Sequence, residues 1–180
     1  MPFNLDEFRA NLVGNGARPN LFQIELTFPP SAPDSVASKK LSFLAQSSSI
    51  PANSLGYISA FYFGRELKYA GDRRFEAWAI EVINDEDFLI RKAFDKWMNS
   101  LNMNHGNLRS PLAATNIGYQ VDATVNQYSK IGGPSIASYK MVGCFPTGLT
   151  PMELAWASVD SLETFQVTLQ YQWWEADWTT

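Results

Sequence analysis

A chain of 180 residues that is 46% hydrophobic, 14% aromatic and 18% charged can bury about 70% of its unfolded surface in one core without covalent staples, which excludes disordered and collagen-like classes. Its 14 Lys and Arg against 18 Asp and Glu leave a net charge of −4, which argues against tight nucleic-acid binding through a clustered basic face. The single cysteine, Cys144, excludes an intrachain disulfide and a cysteine-based zinc site, and reads as a small apolar filler near a strand end.

The N-terminal stretch MPFNLDEFRANLVGNG sets Asp6 and Glu7 where a signal peptide needs positive charge, and no window approaches 18 consecutive apolar residues, so neither export by that route nor a membrane span is expected. Asn4 with Glu7 three residues on, and Leu5, Phe8 and Leu12 at helical spacing, predict a short N-terminal helix or turn. NLFQIELTF alternates Phe22, Ile24, Leu26 and Phe28 with Gln23, Glu25 and Thr27 and reads as a strand. PPSAPDSVAS is then expected to be a loop, KLSFLAQ a strand, and SSSIPANSLG a polar loop broken by Pro51 and Gly56.

YISAFYFGRELKYA reads as one long strand bent at Gly64, followed by a turn at Gly71 and Asp72 and a further strand, FEAWAIEVI. The period then changes. Ile90, Phe94, Trp97 and Leu101 fall at i, i+4, i+7 and i+11, predicting an amphipathic helix over about 85–101 whose apolar row packs on a sheet. Asn84 or Asp85 is the expected cap, with Glu86 and Asp87 in the first turn, where the positive end of the helix dipole favours acids.

Residues 102–118 read as an irregular connection, YQVDATVNQY as a strand, IGGP as a turn, IASYKMVGCF as a strand, and PTGLTPMELAWASVDSLE as a loop. In TFQVTLQYQWW the residues Phe165, Val167, Leu169, Tyr171 and Trp173 are apolar, while Thr164, Gln166, Thr168, Gln170 and Gln172 are polar yet uncharged. This is a strand with one buried face, and the absence of charge on the other poses the question of what that face meets. Seven strands and one clear helix place the chain in the mainly β class, an antiparallel sandwich or barrel with a flanking helix and long loops, as one domain over 1–180.

The sequence carries little that looks catalytic. His105, the one histidine, lies in the loop MNHGN and reads as a solvated side chain, so neither a multi-histidine metal site nor a triad is supported. GGP at 132–134 is turn chemistry without a phosphate-loop context, and Asp85, Glu86 and Asp87 lack the further oxygen ligands that calcium needs. No catalytic residue, cofactor or metal is assigned. The tail YQWWEADW sets Trp174 on the polar side of its strand with Trp178 four residues on, which suits a protein interface, a sugar-stacking platform including Trp173, or an aromatic core edge.

Three stretches resemble the tail tube proteins of contractile-tailed bacteriophages: ARPNLFQIEL, AGDRRFEAWAIEVINDED, and the end from PTGLTPMELAWASVD to TFQVTLQYQWWE. The middle one joins an AGDR turn, a strand with a central Trp and an NDE helix start, and the helix after it closes on KWMNSLN. LSFLAQSSSIPAN fits in position, although its residue choice departs from the family's version. The resemblance implies a structural virion protein of the tail, made in the host cytoplasm and assembled into hexameric rings that stack into a tube. Other copies of itself, the tail sheath protein, the tape measure protein, baseplate and terminator proteins, and duplex DNA passing without sequence-specific binding are the implied partners.

In such a tube a wall that lets DNA slide should be neutral or acidic, which makes the strand acids Glu66, Glu76, Glu81 and Asp122 the candidates to line it and Trp174 and Trp178 the candidates for subunit interfaces. The uncharged Thr and Gln face suits a lumen, an interface or plain solvent surface. A tube protein of a bacterial contractile injection or type VI secretion machine is one alternative reading. A carbohydrate-binding β-sandwich is an alternative from a different class.

Overall fold

The computed structural model describes residues 4–179; Met1 to Phe3 of the N-terminal stretch and Thr180 of the tail lie outside it. Nine strands form: β1 (Phe22–Leu26), β2 (Ala45–Ser48), β3 (Asn53–Tyr62), β4 (Arg65–Phe75), β5 (Trp78–Ile83), β6 (Val121–Tyr128), β7 (Ser135–Leu149), β8 (Thr164–Gln170) and β9 (Trp173–Ala176). The helices are α1 (Leu5–Asn11), α2 (Ser35–Leu44), α3 (Leu89–Leu101) and α4 (Asn116–Tyr119). Seven strands make one antiparallel sheet in the order β1-β6-β7-β8-β5-β2, with β9 also on β7, and β3 and β4 pair apart from it.

The alternating strands bury what their pattern says. Ile24 and Leu26 of β1, Ala123 and Val125 of β6, Trp78, Ile80 and Val82 of β5, and Phe165, Val167 and Leu169 of β8 join one core with Met141 and Cys144 of β7. Ile90, Phe94 and Trp97 of α3 are buried in that core and Leu101 packs at its edge. Phe28 meets the Phe94 ring edge-on at 5.0 Å and the Trp97 ring at 5.8 Å. The Trp97 indole N–H donates to the Tyr119 carbonyl at 3.0 Å, so its one polar atom is satisfied where the ring is buried.

Several elements differ from the sequence expectation, each for a visible reason. KLSFLAQ is not a strand. Asp34 caps the Ala37 N–H at 2.8 Å and starts α2, which buries Ala37 and Leu41 one turn apart and leaves Phe43 82% exposed; a strand would have set Leu41 and Phe43 on one side. Helix α3 starts at Leu89, four residues beyond the expected start, after Phe88 in a left-handed conformation and without a side-chain cap. Asp85 and Asp87 instead reach the Lys40 ammonium of α2 at 2.5 and 3.0 Å, tying the two helices together. Asn4 does cap α1, accepting from the Asp6 and Glu7 N–H groups.

TFQVTLQYQWW is two strands along one edge of β7. β8 pairs with Phe145 to Leu149 and β9 with Tyr139 to Val142, and between them the Gln172 N–H donates to the Val142 carbonyl beside Gly143 at φ +69°. The irregularity shifts the phase by one residue, and a one-residue slip exchanges the faces. Trp173 is therefore the outward residue, 44% exposed, and Trp174 turns inward onto the core edge. The long strand expected to bend at Gly64 reverses completely there, and the turn expected at Gly71 and Asp72 lies inside β4.

Candidate functional site

The outstanding feature is the hairpin of β3 and β4. Tyr62 pairs with Arg65 across a turn made by Phe63 at φ 46° and Gly64 at φ 79°. Two successive positive φ values match the turn that suits the right-handed twist of a hairpin, and they explain a glycine at the second place. Phenylalanine at the first is strained, and here it is 92% exposed. Ten residues of β3 extend the hairpin about 33 Å at about 3.3 Å per residue.

Every residue of β3 is exposed. The register sorts the side chains, since cross-strand partners share a face. Ile58 with Tyr69, Ala60 with Leu67 and Tyr62 with Arg65 make a largely apolar face, and Tyr57 with Ala70, Ser59 with Lys68 and Phe61 with Glu66 make a mixed one. Near the root, Gly56 and Gly71 cross closely enough that a Cβ on Gly71 would lie 3.0 Å from the Gly56 carbonyl carbon. Large aromatic and aliphatic side chains stand in water along the whole hairpin, more apolar surface than a single chain has reason to expose.

A second apolar surface lies at the other end of β5 and β8. Both legs of the hairpin leave near Trp78 and Leu169, whereas loop 150–163 joins the sheet where Ile83 pairs with Thr164. Its base is anchored: Arg91 of α3 donates to the Thr150 carbonyl at 2.9 Å, and the Asn84 side-chain amide donates to Glu163 at 2.6 Å. Its crest is not covered. Leu154, Trp156 and Leu162 are exposed around a trough of about 770 Å³, and Val159 is exposed in the same loop.

The acids singled out in the sequence are scattered. Glu66 is on the hairpin's mixed face, accepting from the Ser59 hydroxyl and lying 3.8 Å from the Lys68 ammonium. Glu76 is exposed at the hairpin root. Asp122 of β6 lies 2.9 Å from Lys140. Burial opposes its charge, but the Lys140 hydrogen bond and the Gly143 N–H outweigh it and hold its pKa below the ordinary carboxylate value. Glu81 of β5 accepts from the Ser47 and Thr164 hydroxyls at 2.9 and 3.2 Å, on the outer side of the sheet with Gln166 opposite. Around Glu81 that side is the uncharged face of Thr164, Gln166 and Thr168 noted in the sequence.

The tail tryptophans do not form one platform. Trp174 and Trp178 both set their rings edge-on to Tyr139, at 6.1 and 5.5 Å, while Trp173 points to the other side of β9 and donates its indole N–H to Glu175. Trp174 is thus a core-edge residue, and Trp178, 63% exposed, is the more open of the candidate pair. His105 is exposed in its loop, and among the described residues no three of His, Cys, Asp and Glu gather as a metal site. Sequence reasoning missed the hairpin's aromatic faces and Trp156; the adjacent Tyr62, Phe63 and Gly64 were the available signal.

The fold is shared with chains of contractile injection assemblies. A chain of the anti-feeding prophage baseplate superposes with TM-score 0.66 at 13% identity, covering 89% of this chain and 94% of that one. A chain of the sheath-tube complex of the PVC extracellular contractile injection system superposes with TM-score 0.62 at 14% identity over 97% and 98%. In sequence, the tail tube protein gp19 of Enterobacteria phage T4 is 30% identical over 170 residues, 94% of this chain and 98% of the relative, and the tail tube protein of Serratia phage KSP90 is 26% identical over 93% of each. The chain belongs to the phage tail tube protein family, whose pattern it matches over residues 17–177. It is a structural protein of a contractile phage tail and so a component of the virion.

Proposed function

We propose that this chain forms hexameric rings that stack into the inner tube of the tail, enclosed by the tail sheath protein, filled before ejection by the tape measure protein, and bounded by baseplate and terminator proteins. The observation that carries this is the hairpin. Its long exposed apolar face has no partner among the described residues, and a head-to-tail contact between identical subunits is the arrangement that covers it at every copy but the last. The protein acts without catalysis: its work is to hold a passage open.

The outer face of β5 and β8 is the proposed lumen wall. Amides and hydroxyls stay hydrated there without binding phosphate, and Glu81 supplies the negative charge that keeps duplex DNA from adhering. Of the other candidate acids, Glu66 and Asp122 carry a lysine beside them and Glu76 sits at the hairpin root, so Glu81 is the residue to alter. In phage carrying Glu81→Lys, tubes of normal appearance and slower DNA ejection, with the delay reduced by added salt, are expected. Ejection unchanged by Glu81→Lys would overturn the assignment of this face to the lumen.

A further inference from the structure

Granted that copies of this chain stack, the hairpin of one copy needs a receiving surface on the next. We propose that this surface is loop 150–163, with the tip of β3 and β4 seated in its trough. Three observations converge on this pair. The hairpin springs from one end of β5 and β8 and the loop from the other, so on one subunit the two surfaces are apart and each is free to meet its counterpart on a neighbour. Both surfaces carry uncovered apolar side chains: Ile58, Tyr62, Phe63 and Leu67 on one side, Leu154, Trp156, Val159 and Leu162 on the other.

Charge is the third observation. Near its tip the hairpin holds Arg65 and Lys68 against Glu66, whereas residues 150–164 hold Glu153, Asp160 and Glu163 and no basic residue. Among the described residues Arg65 is not ion-paired with a carboxylate and none of the three loop acids is ion-paired with a cation. Opposite charges around an apolar centre fix which surfaces meet, and the contact is heterologous, so it propagates. The strained, exposed Phe63 finds its use here: a left-handed turn residue projects an aromatic ring at the foremost point of the arm.

The test uses the full chain under conditions in which the wild type forms tubes. Arg65→Cys is combined in turn with Glu153→Cys, Ser158→Cys and Ser161→Cys and oxidised; Cys144 is buried and silent. A ladder of covalent multimers from at least one double variant, absent from every single variant, is expected. In parallel, Arg65→Glu with Lys68→Glu should abolish tubes, and adding Glu153→Lys with Asp160→Lys should restore them. Tubes that form in every double-cysteine variant with no cross-link, a cross-link from Arg65→Cys alone that joins hairpin to hairpin, or a charge swap without rescue would each overturn the pairing while leaving the tube itself standing. Wild-type protein that forms no tube alone or on a baseplate initiator would instead remove the stacking on which the pairing rests.

Discussion

Phe63 joins a backbone cost to an exposed aromatic ring. Asparagine or glycine suits the first position of this turn, and a side chain with a Cβ held in the left-handed region costs about 1–2 kcal/mol. Phe63→Asn should therefore leave the melting temperature of the isolated subunit unchanged or slightly raised, while impairing tube formation. Loss of folded subunit alongside loss of tubes would show that the ring packs within its own chain. Cys144 is the opposite case, a residue whose environment silences it: burial pushes its thiol up to about 12, in keeping with an apolar filler. The sequence pattern points to Cys144 as filler because it sits in an apolar strand; at the turn it marks only Gly64, since phenylalanine is not a residue that a left-handed angle selects.

Elements divide by whether they bury a face within the chain. β1, β6 and β8 were readable because alternation records one-sided burial, and α3 because its row repeats with the helical period. The hairpin was not, since neither of its faces is buried in the subunit and no periodicity is imposed on it. α2 escaped because only Ala37 and Leu41 of its ten residues are buried, too few to set a period. Truncating fully buried Phe94 to Ala should cost about 3–5 kcal/mol, lowering the melting temperature by about 6–20 °C, since each kcal/mol is worth about 2–4 °C at this size. A Phe94→Ala subunit that melts normally but does not assemble would make the α3 row an interface instead.

The tie between α2 and the start of α3 has a pH signature. Hydrogen bonding from Lys40 outweighs desolvation and holds Asp85 below its ordinary carboxylate value of 3.8, so its contribution is present above that value and lost as pH falls through the lower, folded one. Lys40 is raised above 10.5 by its hydrogen bonds to Asp85 and then Asp87, so the same contribution persists until alkaline pH exceeds that. Between those limits Lys40→Met should melt lower than wild type by an offset that does not vary with pH, smaller than that of Phe94→Ala, and the offset should shrink as pH falls from 3.8 through the lower, folded value. A difference that grows in acid would mean that Asp85 is stabilised by something other than this lysine.

For the whole molecule, the fold divides labour between a sheet that encloses a core and appendages that enclose nothing. The core accounts for folding; the hairpin, loop 150–163 and the exposed residues Leu5, Phe8 and Leu12 of α1 and its end are apolar surface that folding leaves over. The outer face of β8, polar and uncharged at Thr164, Gln166 and Thr168, is the face proposed above for the lumen wall, and the Glu81→Lys ejection assay is its test. Electron microscopy of the purified full chain, alone and seeded with a baseplate initiator, shows whether these apolar surfaces join copies into a tube. Stacked rings with an axial channel, lengthening with protein concentration, are the predicted result; a protein that remains monomeric at high concentration under both conditions would contradict the account.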